Sequence, residues 1–313
     1  MSRYDVLVAG EAYCDLIFAG LDRMPALGRE VIASGLTTRP GGCYNMALGL
    51  TRLGLRTAWA SDFGTDLFSH IVLDTAAEEG LDPVAFRRLG RPAAMVTAAF
   101  ADSEERGFIT YRGTEVVPPQ SELLGRLRPR WLLQSFRYTP EWLAFIRAAK
   151  DGGAQVFGDC NGDAVTLDTP GVREFIRMCD VFSPNEAEAL ALTRSNSADA
   201  ALAVLAEMAP AVLIKRGVNG VSAWMAGRRY DETAPRVAVV DTVGAGDAFA
   251  AGYLAGAIGE LPVAARLRNA VACGTLSTTG AGSSANPTAD ELNAFVTRSF
   301  QPGSGSVSPM HIA

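Results

Sequence analysis

The sequence predicts an α/β protein whose central sheet is mainly parallel. Short apolar runs alternate with stretches of helical periodicity along most of the chain, and strands separated by helices of this length form βαβ units. The chain has 313 residues, of which 48% are hydrophobic and 20% charged. That length and composition suffice for one large domain with a smaller inserted layer.

The predicted elements follow one another in a regular order. The apolar run 4–10 is the first strand, and a helix from about Met46 ends at Gly54, a residue type that commonly follows the last helical turn. The later predicted strands are 57–61, 131–136, 154–160, 180–184 and 211–217, and the helices are 67–79, 140–150, 170–178, 185–193 and 198–208. A last apolar strand at Val239 and Val240 is expected to lead into a turn and a helix of small residues.

Two segments depart from this rhythm and predict a second layer. Residues 12–38 and 93–112 alternate apolar with polar side chains, and the second segment indicates a hairpin that turns at residues 102–107. Such strands are too few to be stable alone, so we expect them to pack on the main domain. That domain is predicted to span residues 1–300, with residues 301–313 as a flexible tail rich in Gly, Ser and Pro.

The start of the last helix predicts an anion site. Gly244, Ala245 and Gly246 leave backbone amides accessible at the positive end of the helix dipole, and the carboxylate of Asp247 lies in the same turn. A Walker loop is excluded, because the chain has only two lysines, Lys150 and Lys215, and neither follows a glycine. The dinucleotide fingerprint also fails, since Phe249 stands at its third glycine position. The anion site at residues 244–246 and the adjacent carboxylate of Asp247 together suggest phosphoryl transfer.

Composition excludes several other classes of protein. The net charge is −6 and the basic residues are scattered, which argues against a nucleic-acid partner. No apolar run reaches membrane-spanning length and the first residues lack a signal-peptide pattern, so we expect no membrane association and a cytoplasmic location. Five cysteines without a CxxC pair and only two histidines do not form a zinc site.

Two motifs carry a resemblance to a known family. The stretch VDTVGAGDAFAAG at 240–252 and the stretch PGGCYNMALGLTRLG at 40–54 resemble the C-terminal and N-terminal signatures of the ribokinase-like, or PfkB, carbohydrate kinases. Weaker similarities, GEAYCD, GDCN, SPNEAE and IKRGVNG, lie between them in the expected order. The resemblance implies a ribokinase-like three-layer α/β/α fold with a small β-lid, ATP and Mg²⁺ as cofactors, and a homodimer formed through the lid.

The resemblance also implies roles on the acceptor side. Asp247 would be the general base, with the amides of residues 244–247 stabilising the transferring phosphoryl group; taken alone, Asp247 is equally typical of a helix cap. The sugar-binding residues would be Asp15, Gly41, Gly42 and Asn45. Only Cys43 and Tyr44 separate the glycines from Asn45, whereas three residues are usual in the family, so the shape of the sugar site is left open.

On the nucleotide side the resemblance implies a larger set of residues. Asn185 and Glu188 would organise Mg²⁺ through water, although an N-capped helix explains the same pair. Asp241 would bind a monovalent cation such as K⁺, although a turn-forming aspartate is an alternative. The remaining nucleotide-binding residues would be Lys215, Gly217, Gly220, Asn269 and Gly282, of which Gly217 and Gly220 are also typical of a simple turn.

These expectations lead to one main functional hypothesis and two alternatives. The main one is ATP-dependent phosphorylation of a primary hydroxymethyl group on a small sugar. A nucleoside kinase of the same family and a catalytically silent sugar-binding regulator are the alternatives. Arg39, Arg112 and Arg137 would suit an acidic substrate, but solvated arginines explain them equally well. The sequence therefore leaves the substrate itself undecided.

Overall fold

The computed structural model describes residues 3–101, 106–160, 165–280 and 285–300. In chain order the strands and helices are β1 (Val6–Ala9), β2 (Ala12–Ala19), β3 (Gly35–Gly42), α1 (Cys43–Arg52), β4 (Thr57–Phe63), α2 (Leu67–Glu78), β5 (Phe86–Arg88), β6 (Met95–Ala101), β7 (Arg106–Arg112), α3 (Glu122–Leu127), β8 (Trp131–Ser135), α4 (Pro140–Asp151), β9 (Gln155–Asp159), α5 (Val172–Met178), β10 (Val181–Ser183), α6 (Glu186–Thr193), α7 (Ala198–Ala206), β11 (Ala211–Lys215), β12 (Val221–Met225), β13 (Arg228–Glu232), α8 (Ala245–Ile258), α9 (Val263–Ser277) and α10 (Ala289–Ser299). Most of the hairpin turn predicted at 102–107 lies outside the described residues. The same is true of Asn161, Gly282 and the tail 301–313.

The main sheet confirms the predicted parallel architecture. Its strand order is β13-β12-β11-β10-β9-β8-β1-β4-β5. All neighbours from β11 to β5 run parallel, whereas β12 and β13 form an antiparallel hairpin at one edge. Parallel strands place their carboxyl ends along one rim of the sheet, where ligands of such folds bind.

Both faces of this sheet are covered by helices, which gives the three predicted layers. Strand β1 shows why: all four of its side chains are fully buried, and they alternate between two hydrophobic cores. Val6 and Val8 belong to the core formed with α1, α2, α8, α9 and α10. Leu7 and Ala9 belong to the core formed with α3 to α7. A continuous apolar run is therefore the pattern expected for a strand buried on both sides.

The two segments outside the βα rhythm pair with each other, as predicted. They form a four-stranded sheet in the order β3-β2-β6-β7, in which only β2 and β6 run parallel. Strand β2 follows β1 after only two residues, so this small sheet continues directly from the carboxyl rim of the main sheet. The glycines of the N-terminal motif lie at the end of β3, immediately before α1.

One predicted strand is wrong. Val239 and Val240 form no strand and are 55% and 61% exposed. The amides of Val240 and Asp241 both donate to the carbonyl of Thr278, at 2.8 and 3.2 Å. The edge position of the sheet is already occupied by β13, so this apolar stretch lies on the surface beside the end of α9 instead.

Candidate active site

Helix α8 begins at a turn that leaves backbone amides available to a ligand. Gly244 precedes the helix with a φ of 82°, and no side chain caps the first turn. The amide of Ala245 donates to the carbonyl of Thr242 at 3.3 Å. The amides of Gly246 and Asp247 have no hydrogen-bond partner in the part of the chain that the structure describes. With the helix dipole behind them, these amides can hold an anion.

The two sequence motifs meet at this turn. Nδ2 of Asn45 lies 3.7 Å from the point where a Cβ on Gly244 would stand, and Oδ2 of Asp247 lies 3.9 Å from the same point. The Asn45 amide donates a hydrogen bond to the Asp247 carboxylate. Oδ1 of Asn45 is buried and has no partner among the described residues, so it remains available to accept a bond from a substrate hydroxyl. Residues about 200 positions apart thus form one site.

The environment of Asp247 raises the pKa of its carboxyl group close to neutral pH. Its pKa is raised from 3.8 to about 7, first by burial and secondly by the negative charge of Asp159. The hydrogen bond from Asn45 and the charge of Lys215 act in the opposite direction. A carboxylate with this pKa can accept and release a proton near neutral pH, which is the property that a general base requires.

A buried ion pair lies beside the anion site. Nζ of Lys215 is 2.5 Å from Oδ1 of Asp159, and the two side chains are only 14% and 8% exposed. The same Nζ lies 3.3 Å from the point where a Cβ on Gly246 would stand. Burial lowers the pKa of Lys215, but the adjacent Asp159 carboxylate more than compensates, so the pKa is raised and the ammonium stays charged. The site therefore carries a fixed cation next to its free amides.

Asp15 lies on the small sheet and faces the N-terminal motif. A Cβ on Gly41 would overlap the carboxylate of Asp15, so the absence of a side chain at Gly41 makes this approach possible. Burial raises the pKa of Asp15 to about 6, although a hydrogen bond from the Thr97 hydroxyl lowers it. An ionised carboxylate in this position can accept two sugar hydroxyls at once. Gly42 ends β3 and precedes α1, so it contributes backbone to the same corner.

A polar cluster at the junction of the two sheets was not predicted. Glu11 pairs with Arg137, and the hydroxyl of Tyr13 donates to Oε1 of Glu11 at 3.5 Å. Arg112 in turn donates to the Tyr13 hydroxyl at 3.0 Å. Two of the arginines that would suit an acidic substrate are therefore already engaged within the protein. The only signal for Glu11 in the sequence is its place directly after the first strand, in GEAYCD.

The Asn185 and Glu188 side chains form a reciprocal capping box at the start of α6. Oδ1 of Asn185 accepts from the Glu188 amide at 2.9 Å, and Oε2 of Glu188 accepts from the Asn185 amide at 2.7 Å. The helix-capping interpretation is thus realised in the structure. The charge of Glu188 also raises the pKa of Lys215, which places Glu188 near the ion pair described above. Its role towards a metal stays a prediction.

The other residues assigned to the nucleotide or to a cation are more dispersed. Oδ1 of Asp241 accepts from the Val243 amide at 3.1 Å in a local turn. Gly217 begins a 3₁₀ turn and Gly220 ends it with a φ of 81°, a conformation that favours glycine. Asn269 lies in the middle of α9, where its carbonyl packs 2.5 Å from the point where a Cβ on Gly252 would stand. The structure therefore places Asn269 beside the body of α8, not at its start.

Within the described ranges the structure offers neither a metal cluster nor a membrane span. No group of three or more His, Cys, Asp or Glu residues there could hold a metal ion. Likewise, none of the helices there is both long and apolar enough to cross a membrane. All five cysteines are buried.

Comparisons with known proteins agree with the geometry. Residues 4–289 match the family model described as pfkB family carbohydrate kinase. The chain is 30% identical to a fructokinase of Klebsiella pneumoniae, over 92% of this chain and 97% of that protein. Two solved structures are similar to this chain: a ribokinase of Arabidopsis thaliana complexed with ribose and ATP, with a TM-score of 0.83, and an E. coli protein described as a putative ribokinase II in complex with ATP and Mg²⁺, with a TM-score of 0.80. Each is 22% identical and covers 94% of this chain and 99% of its own. The chain therefore belongs to the PfkB family of carbohydrate kinases and has the ribokinase-like fold.

Proposed function

We propose that this carbohydrate kinase transfers the γ-phosphoryl group of ATP to a primary hydroxymethyl group of a sugar. One observation carries the proposal: the Asp247 carboxylate and free backbone amides share the start of α8, and Asn45 from the other motif binds that carboxylate. A base beside an anion site is the arrangement that phosphoryl transfer to a hydroxyl needs. ATP as the donor is supported by the family and by the ATP complexes of structural neighbours.

In the proposed reaction Asp247 accepts the proton of the acceptor hydroxyl. The hydroxyl oxygen forms a bond to the γ-phosphorus while the bond from that phosphorus to the β,γ-bridging oxygen breaks, and ADP leaves with that electron pair. The amides of Gly246 and Asp247 and the ammonium of Lys215 stabilise the negative charge that builds up on the transferring group. Asp15 and Asn45 hold the sugar hydroxyls that fix the acceptor in place.

The described residues fit Mg²⁺ bound mainly through phosphate and water. The charge of Glu188, the residue that the sequence assigns to Mg²⁺, acts on Lys215, and one of its carboxylate oxygens is already used in the capping box. Mg²⁺ takes few protein ligands in nucleotide sites, where it neutralises phosphate charge. We place Glu188 in contact with a water of the ion. Asp241 is the residue proposed for K⁺, and activity in KCl compared with NaCl tests that assignment.

Turnover of a substrate panel tests the proposed function. Ribose, fructose, glucose and the nucleosides adenosine and inosine are offered with Mg-ATP, and ADP release is measured for the wild type and for Asp247→Asn. We expect phosphorylation of at least one sugar, with the rate in the variant reduced by about 10³-fold or more because the base is lost. Binding of sugars without any turnover would support the silent regulator instead, and turnover of a nucleoside alone would support the nucleoside kinase.

The small sheet is the proposed contact between two copies of the chain in the cytoplasm. Leu36, Ile109 and Tyr111 are 63%, 67% and 62% exposed. The strand register places all three on one face of the β3-β2-β6-β7 sheet. Exposed apolar side chains gathered in this way are typical of an interface. The molar mass in solution, measured by light scattering for the wild type and for Ile109→Lys, tests whether this face forms a dimer.

A further inference from the structure

A cavity of about 340 Å³ lies where the main sheet meets the small sheet. It opens at the carboxyl ends of β1 and β4, beside the edge strand β5, and the loop after β7 closes one side. Glu11, Ser61, Phe86, Thr114 and Val116 are among its lining residues. Asp15, Asn45 and Asp247 are not among its lining residues, and its volume is one that small-molecule sites commonly have.

Glu11 connects this cavity to the site of phosphoryl transfer. The amide of Cys43 donates to the carbonyl of Glu11 at 3.0 Å, which places the start of α1 against the cavity wall. The same carbonyl lies 2.7 Å from the point where a Cβ on Gly42 would stand. Glu11 therefore borders both the cavity and the N-terminal motif of the acceptor site.

The wall of the cavity contains polar atoms that need a partner. Oε2 of Glu11 and Oγ of Ser61 are buried and form no hydrogen bond with any described residue. Ser61 is only 7% exposed. Leaving such groups unpaired in the interior is unfavourable. Both atoms are closed to solvent, so a ligand that reaches them must shift the wall slightly, and it must bring at least one hydrogen-bond donor for the carboxylate.

The charges around the cavity indicate a neutral ligand. Arg87 forms a bidentate pair with Asp62, at 2.6 and 2.5 Å. Arg126 donates to a backbone carbonyl at 2.8 Å, and the guanidinium of Arg88 lies 5.8 Å from the centre of a buried phenylalanine ring. Glu11 is itself paired with Arg137. The lining contains three carboxylates, those of Glu11, Asp62 and Glu115, and three arginines. Because these charges balance, the cavity is suited to hydroxyl groups and to the apolar faces of a ring, not to a phosphate.

We propose that the acceptor site continues past Glu11 into this cavity and that the substrate is a neutral glycoside of two sugar units. The unit that is phosphorylated lies between Asp15 and Asp247, and the second unit, attached at the anomeric carbon of the first, fills the cavity. Its hydroxyls donate to Oε2 of Glu11 and bond to Oγ of Ser61. This inference rests on the proposed kinase function, because it specifies the substrate of that same site.

Matched pairs of substrates with Mg-ATP test the proposal. Glucose is compared with maltose, galactose with lactose, and fructose with sucrose, since each disaccharide carries its second unit on the anomeric carbon of the first. Thr114→Trp and Val116→Trp fill the cavity from a loop, and Thr297→Trp places the same ring on an exposed position of α10 as the control. Thermal unfolding identifies any variant that fails to fold. Binding is measured separately by calorimetry in the Asp247→Asn background, where turnover is removed.

The expected result is that kcat/KM of the wild type is at least tenfold higher for one disaccharide than for its free sugar. Both cavity variants should lose that tenfold preference while the free sugar reacts within twofold of the wild type, and the control should keep it. A higher kcat/KM for the free sugar in every pair would overturn the proposal and leave the kinase function standing. So would cavity variants that lower kcat/KM equally for both members of a pair. If nothing is phosphorylated, the kinase function fails. In that case disaccharide binding that is lost in Thr114→Trp would still support the two-unit site, and its absence would refute it.

Discussion

The strongest prediction concerns the pH at which the base works. Asp247 has a pKa of about 7 in the free protein, and only its ionised form accepts a proton. The ionised fraction, and with it kcat/KM, should rise with pH: about a tenth of the plateau at pH 6, about half at pH 7 and about nine tenths at pH 8. An aspartate with its ordinary pKa of 3.8 would instead give a flat profile over this whole range.

Replacing Asp159 by asparagine should move this profile. The Asp159 charge is the second cause of the raised pKa of Asp247, so its removal favours the ionised base. Removing a neighbouring like charge lowers the pKa of a carboxyl by about one unit or more. The pH at which kcat/KM reaches half its plateau should therefore fall from about 7 to about 6.

The assay is kcat/KM between pH 5 and 9, because that ratio reports groups of the free enzyme. Asp168→Asn removes an exposed carboxylate that pairs with Arg173 and Arg194, so this control should keep the wild-type midpoint. Thermal unfolding shows whether each variant is folded. A midpoint that stays at about 7 in folded Asp159→Asn would refute the coupling, and a flat wild-type profile would refute the role of burial.

Three further predictions concern residues of helices α8 and α6. Asp247→Asn should be more stable than the wild type at pH 8, by up to about 4 kcal/mol, because the raised pKa of Asp247 destabilises the folded wild type increasingly from about pH 4 to about pH 7 and by a constant amount above that; urea unfolding should show no such gain below about pH 4. Gly246→Ala should reduce kcat with little change in Tm, because its Cβ meets only the flexible end of Lys215, whereas Gly252→Ala should lower Tm because its Cβ meets the backbone of α9. Glu188→Ala should cost about 1 kcal/mol of stability through the lost cap; Glu188→Gln should keep the cap, so a raised KM for Mg²⁺ in Glu188→Gln would identify a metal role that is independent of the cap.

Local patterns predict the main fold well because the sheet is built from continuous apolar strands. In β1 and β8 every side chain is buried, so the apolar run and the strand coincide to within one or two residues. The predicted helices 67–79, 140–150 and 185–193 also agree with α2, α4 and α6. The strand predicted at Val239 and Val240 does not form, because an apolar pattern alone does not provide a strand with a partner. Apolar residues indicate burial, but a strand forms only where a sheet edge is free.

The site was only partly predictable, because its key contacts join distant parts of the chain. The resemblance assigned Lys215 to the nucleotide, but nothing in the local sequence indicates that it pairs with Asp159. They stand on β9 and β11, with β10 between them. Strand β10 has only three residues, so the long Lys215 side chain can cross above its end. The link from Glu11 to Arg137 spans 126 residues and was missed for the same reason.

The Asp159–Lys215 pair is difficult to explain as a contribution to stability. Withdrawing two charges from water costs several kcal/mol each, and replacing such a pair by apolar side chains is often neutral or stabilising. Its position supplies another explanation, since Lys215 lies beside Gly246 and both charges act on Asp247. Asp159 holds the Lys215 ammonium at the anion site. It also offsets the lowering of the Asp247 pKa by that ammonium, so that Asp247 keeps a pKa near neutral pH beside a positive charge. A lone lysine there would pull that pKa down and weaken the base, and a lone aspartate would raise it and leave the anion site without a cation.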